Sequence, residues 1–108
     1  MPRAPLPPLT SLQFLVLGTL LDTERPGRVV RDLLAAHRVR RTPAAFYQMM
    51  ARLEKASLIA GWYEQVVVGD QAVTERHYRL TETGARLWRQ TRDFYRRPAV
   101  GKVRWSDA

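Results

Sequence analysis

Residues 42–82 read TPAAFYQMMARLEKASLIAGWYEQVVVGDQAVTERHYRLTE, and the order of signals within them decides the fold. Thr42 is a favoured helix N-cap and Pro43 stands at the first helical position, a strong start signal. Phe46, Met49, Met50 and Leu53 follow at i, i+3, i+4 and i+7, the spacing of one buried helical face. The opposite face carries Ala44, Ala45, Tyr47, Gln48, Ala51, Arg52 and Lys55. A Leu58-Ile59 step then leads into residues 62–68, whose aromatic and β-branched content predicts a strand. Gly69-Asp70 marks a turn, and residues 75–80 alternate as a partner strand. Thr81 caps a last helix through Leu87, Trp88, Phe94 and Tyr95, which ends before Pro98.

Working outward, residues 1–9 are proline-rich and cannot be helical, so they are expected to form a mobile arm. Thr10 or Ser11 caps a first helix running through Leu12, Phe14, Leu15, Val16, Leu17, Leu20 and Leu21. Its apolar run lacks a small-residue cleavage site after it, which favours a buried core helix over a targeting signal. Residues 22–27 read as a charged, proline-containing turn. Val29, Val30, Leu33 and Leu34 give a second helix one apolar stripe. The basic connector His37-Arg38-Val39-Arg40-Arg41 leads back to Thr42. The expected architecture is α+β, mainly α: a winged helix-turn-helix with three helices and a two-stranded wing over residues 10–80. One C-terminal helix (81–97) and a tail (98–108) complete the chain.

With 108 residues, the chain is sized for one domain with a modest core. A hydrophobic fraction of 45% with 26% charged residues is an ordinary globular composition. No cysteine is present, which removes thiol nucleophiles and Cys-zinc sites and fits a reducing cytoplasm. The formal net charge of +8 makes a polyanionic partner plausible. The placement of that charge is more telling. Residues 37–60 hold Arg38, Arg40, Arg41, Arg52 and Lys55 against Glu54 alone, whereas residues 61–80 set Arg76 and Arg79 against Glu64, Asp70 and Glu75. The helix is basic and the wing is not. His37 and His77 lack further ligands at metal spacing, and no phosphate-binding glycine loop or nucleophile elbow is present. The reading is therefore of a non-enzyme without metal or cofactor, and without a membrane partner.

Three runs carry a family resemblance: Thr42-Pro43-Ala44-Ala45-Phe46-Tyr47, Arg52 to Ile59, and His77-Tyr78-Arg79-Leu80-Thr81-Glu82-Thr83-Gly84. Over roughly residues 11–96 the chain resembles the PadR-like family of bacterial transcriptional regulators, in its shorter type with a single C-terminal helix. The resemblance implies a homodimeric repressor that reads the major groove of double-stranded DNA with its third helix. The helix after the wing would then build the dimer through Leu87, Trp88, Thr91, Phe94 and Tyr95. It also admits a small aromatic effector between the dimer helices, although those aromatics are better read as packing. Three departures stand out. Ala44-Ala45 replaces the family's Gly-Thr pair, Gln48 replaces a proline, and Glu75 stands where the wing usually carries a cation.

On this reading Tyr47 and Arg52 position phosphates, and Gln48 pairs with an adenine edge. Arg38, Arg40 and Arg41 meet phosphates ahead of the helix. Thr42, Ala44 and Ala45 let the helix start approach the groove, and Arg76 is the wing's contribution. Two other readings stay open. A winged helix can serve protein association through an acidic wing and an aromatic last helix. An RNA-binding role fits the charge but not the sparse exposed aromatics on the strands.

Overall fold

The computed structural model describes residues 6–97; the expected tail and the first five residues of the expected arm lie outside them. The elements are α1 (Ser11–Gly18), β1 (Arg25–Pro26), α2 (Gly27–Ala36), α3 (Pro43–Lys55), β2 (Ile59–Val68), β3 (Gln71–Leu80) and α4 (Glu82–Arg96). This is the expected winged helix-turn-helix with a C-terminal helix.

Local chemistry sets most helix boundaries. The Thr10 hydroxyl accepts from the Gln13 amide while the Gln13 side chain accepts from the Thr10 amide, a reciprocal capping box at α1. Thr42 Oγ1 accepts from Ala45 N at 3.2 Å with Pro43 behind it, so α3 begins where its sequence predicts. Thr81 Oγ1 accepts from Gly84 N at 2.9 Å at the start of α4. The helix α1 stops at Gly18, short of the expected Leu21; Leu20 is still buried, on the turn beyond the helix.

The sheet adds one element to the expected two-stranded wing. Arg25–Pro26, read from sequence as turn, pairs with Tyr78 and His77 of β3 to give the antiparallel order β1-β3-β2. Proline has no N–H for a ladder and is confined to edges, and β1 is such an edge. The hairpin is longer than residues 62–68 and 75–80 predict: β2 and β3 stay in register from Ile59↔Leu80 to Val68↔Gln71. Gly69 turns the chain at φ 64°, a conformation glycine adopts without steric cost.

The core gathers Val16, Leu17 and Leu20 with Val30 and Leu34 of α2, Phe46, Met50 and Leu53 of α3, and Leu58, Ile59 and Tyr78. The end of the expected arm joins it. Leu9 is buried, and its amide donates to Thr91 Oγ1 at 3.3 Å. No helix among the described residues is long and apolar enough to cross a membrane.

Candidate nucleic-acid interface

The buried stripe of α3 leaves its other face outward. Ala44, Ala45, Tyr47, Gln48, Ala51, Arg52 and Lys55 are all exposed, a surface of small side chains near the helix start with an amide and two cations further along. Tyr47 packs edge-on against Phe46, with ring centroids 4.9 Å apart, so its ring is fixed while its hydroxyl end reaches toward Gly27. A Cβ at Gly27 would lie 2.8 Å from the Tyr47 hydroxyl oxygen; glycine here lets the start of α2 close onto α3.

The turn before α3 is built around a strained arginine. Arg38 adopts φ 65°, the left-handed region that costs a non-glycine residue roughly 1–2 kcal/mol. The Val39 amide closes back on Leu34 O at 2.9 Å and the Arg38 amide on Ala35 O, a helix C-terminal motif usually completed by glycine. Arg38, Arg40 and Arg41 are all exposed. Among the described residues, none of these three, nor Arg52 or Lys55, has a carboxylate within 4.0 Å.

The wing is organised the other way, with Arg76 and Glu75 paired inside the fold, while Asp70 and Arg79 stay exposed. Arg76 meets Glu54 of α3 at 2.8 Å, both less than a third exposed, and lies 4.7 Å over the Tyr63 ring. Burial pulls the Arg76 guanidinium toward neutrality, but the hydrogen bond and charge of Glu54 outweigh it and its pKa is raised overall. Arg28 Nε meets Glu75 Oε1 at 2.6 Å, tying α2 to β3. On the same strands Trp62 Nε1 donates to Glu64 Oε1 at 3.0 Å. The second oxygens of Glu64 and Glu75 face His77 Nε2 at 3.5 and 3.7 Å. The Glu75 Oε2 and His77 Nε2 atoms are buried without a hydrogen-bond partner. Beyond these groups, residues 66–74 contain no cation, and Val67 and Val68 at the tip are exposed.

A cleft of about 600 Å³ separates α3 from the wing, lined by Tyr47, Tyr63, Tyr78, Arg28, Arg76, Glu54 and Glu75 among others. Its two arginines are both paired with its two glutamates, so the cleft offers an anion no free charge. Burial, with Glu54 beside it, pushes the Tyr78 phenol up to about 12.

The structure thus brings Thr42, Ala44, Ala45, Tyr47, Gln48 and Arg52 onto one helix face, with Arg38, Arg40 and Arg41 in the turn leading to it. Arg76 stands apart, held against Glu54. The expected dimer residues are divided as well. Trp88 stacks on Phe14 with centroids 5.0 Å apart and donates from Nε1 to Phe14 O. Thr91 is fully enclosed within the chain, its hydroxyl bonded to Leu87 O and the Leu9 amide. Leu87 and Phe94 are half-buried, and Tyr95 is exposed. Sequence reading missed Glu54 and Arg28 as partners in these arrangements. The helix spacing of Glu54 gives its orientation, but nothing local names what it meets. Among the described residues, no group of three or more His, Asp or Glu side chains could hold a metal ion.

No protein-family model matches the chain, and no curated protein does. Solved structures do. A PadR-family transcriptional regulator from Eggerthella lenta is similar at 28% identity and a TM-score of 0.62, over 80% of this chain and 72% of that one. A PadR-family regulator from Clostridium difficile reaches a TM-score of 0.71 at 17% identity, over 87% of this chain and 94% of that one. Bacillus subtilis PadR, solved in complex with operator DNA, gives a TM-score of 0.59 at 18% identity over 83% of this chain; the match spans 49% of that longer protein. The arrangement of helices, wing and final helix is that of PadR-type winged helix-turn-helix proteins.

Proposed function

We propose that this chain is a PadR-like, sequence-specific DNA-binding transcriptional regulator, a homodimeric repressor that reads the major groove with α3. The observation that carries this reading is the exposed face of α3 and its preceding turn, where Arg38, Arg40, Arg41, Arg52 and Lys55 have no carboxylate partner among the described residues. Free cations beside a helix of small and amide side chains suit a duplex. Phosphate contacts hold the register and base edges supply the sequence. The likeness to a PadR protein bound to operator DNA supports the same use of the fold.

In this reading Arg40, Arg41, Arg52 and the Tyr47 hydroxyl hold phosphates, Gln48 reads an adenine edge, and Ala44 and Ala45 allow the helix start to seat closely. Arg76 acts as a positioning residue that fixes the wing on α3 through Glu54. The dimer forms along α4, α1 and the turn after α1, where Tyr95 and Leu21 are exposed beside the stacked Phe14 and Trp88, and its two-fold axis sets the half-site spacing. A groove of about 370 Å³ lined by Phe14, Leu15, Leu21, Leu33 and Trp88 lies on this side and is where a small aromatic effector would sit.

The test is to select genomic DNA fragments with the purified protein at physiological salt and sequence them. Enrichment of one palindromic motif is expected. Weak recovery of unrelated fragments would instead favour protein association, a second reading supported by the cation-free, valine-rich wing tip.

A further inference from the structure

The side of α3 away from the wing carries a separate concavity. A pocket of about 190 Å³ lies between the outer part of α2 and the α2–α3 turn. Its charged wall is Arg31, Arg40 and Arg41, and its floor is apolar, formed by Leu34, Val39 and Phe46. Asp32 is the single acid on it, exposed and farther than 4.0 Å from each of these arginines.

Arg31 is already fixed in place. It donates from Nη2 to the Arg41 carbonyl at 3.3 Å, and its guanidinium carbon stands 6.0 Å from the centroid of the Phe46 ring. A guanidinium anchored at one N–H and laid beside an aromatic ring keeps its remaining donors directed, with little side-chain entropy left to lose on binding. Arg28 and Arg76 on the wing side have their charge matched by a carboxylate; these three arginines do not. The volume is ample for a tetrahedral anion, and planar guanidinium forks match its oxygens.

We infer that this pocket seats a phosphate group through Arg31, Arg40 and Arg41, and that Arg31 is a DNA-positioning residue ten positions upstream of the turn it braces. The inference rests on the DNA-binding reading where the phosphate is a phosphodiester of the duplex; a free phosphate would use the same chemistry. The pocket places the backbone clamp on the turn side of α3, opposite the neutralised wing.

Two measurements test it. The first titrates inorganic phosphate against chloride at constant ionic strength into the free protein, followed by NMR of the Arg31 Nε–H and the amides of residues 39–41. Saturable shifts are expected in the wild type, lost in Arg31→Met and retained in part in Arg31→Lys. The second measures the salt dependence of DNA binding. Arg31→Met should lower its slope by about one unit, and Asp32→Asn should tighten binding several-fold by removing the one acid at the rim. Phosphate shifts without a change in DNA slope would assign the pocket to a free anion and overturn the duplex role. Shifts that survive unchanged in Arg31→Met would overturn the pocket itself. If the wild type binds no DNA, the proposed function fails, and the phosphate titration alone decides the pocket.

Discussion

The two flanks of α3 use the same residue types in opposite ways. On the turn side Arg31, Arg38, Arg40 and Arg41 face solvent or a shallow pocket, with no carboxylate within 4.0 Å among the described residues. On the wing side Arg28 and Arg76 are matched one to one with Glu75 and Glu54, and the carboxylates of Glu64 and Glu75 crowd His77. A count of arginines, four against two, shows only part of the difference; the pairing completes it. Paired cations stiffen a fold and offer a polyanion little, because a phosphate must displace a carboxylate already in place. Free cations cost the folded chain little at the surface and release counterions when a duplex docks. On the proposed function, the turn side would bind and the wing side would hold α3 at its angle.

Altering the wing side should show first in stability. The Tyr78 phenol titrates near 12 in the folded chain against about 10 when unfolded. Below pH 10 both states keep the proton and stability does not depend on this group. Between pH 10 and 12 the unfolded state releases it first, so stability falls, by roughly 2–3 kcal/mol once pH exceeds the folded value. Alkaline unfolding followed by circular dichroism should show this loss in the wild type and not in Tyr78→Phe.

The reading face should respond in specificity instead. Gln48→Ala is expected to relax preference at one base position by about 2 kcal/mol, with unchanged binding to random DNA. Competition binding with single-base operator variants measures it, and equal loss on random DNA would remove Gln48 from base readout.

Glu54→Gln would blur the distinction between the flanks. It keeps the shape but removes the charge that holds Arg76, costing about 1–2 kcal/mol in denaturant unfolding. The released arginine should also steepen the salt dependence of DNA binding by about one unit. Ser57→Gly gives the smallest effect and a useful control. Ser57 adopts φ 62° just past α3, a conformation that glycine takes without steric cost. Relieving it should stabilise the chain by about 1 kcal/mol, read from the thermal midpoint, without moving DNA affinity.

What sequence reading could reach follows from how local each cause is. The bounds of α3 and the start of α4 were legible because Thr42, Pro43 and Thr81 act on amides two or three positions away. The exposed reading face followed from the spacing of Phe46, Met50 and Leu53. The strand β1 was not legible: Arg25–Pro26 has no strand pattern and exists because β3 has an open edge, some fifty positions on, to receive it. The ion pairs escaped for the same reason, since Arg76 meets a residue 22 positions away and Arg28 one 47 away. Thr91 is expected from sequence at a dimer seam; its burial within the chain involves Leu9, 82 positions distant.

The central claim, that DNA is held from α3 and its turn while Arg76 of the wing is committed inside the fold, is tested most directly by one comparison of salt slopes. DNA binding would be measured across a range of salt for the wild type, Arg52→Ala and Arg76→Gln. The account predicts that Arg52→Ala lowers the slope by about one unit and weakens binding to all sequences alike, while Arg76→Gln leaves the slope unchanged. A slope that falls with Arg76→Gln and stays fixed with Arg52→Ala would contradict it.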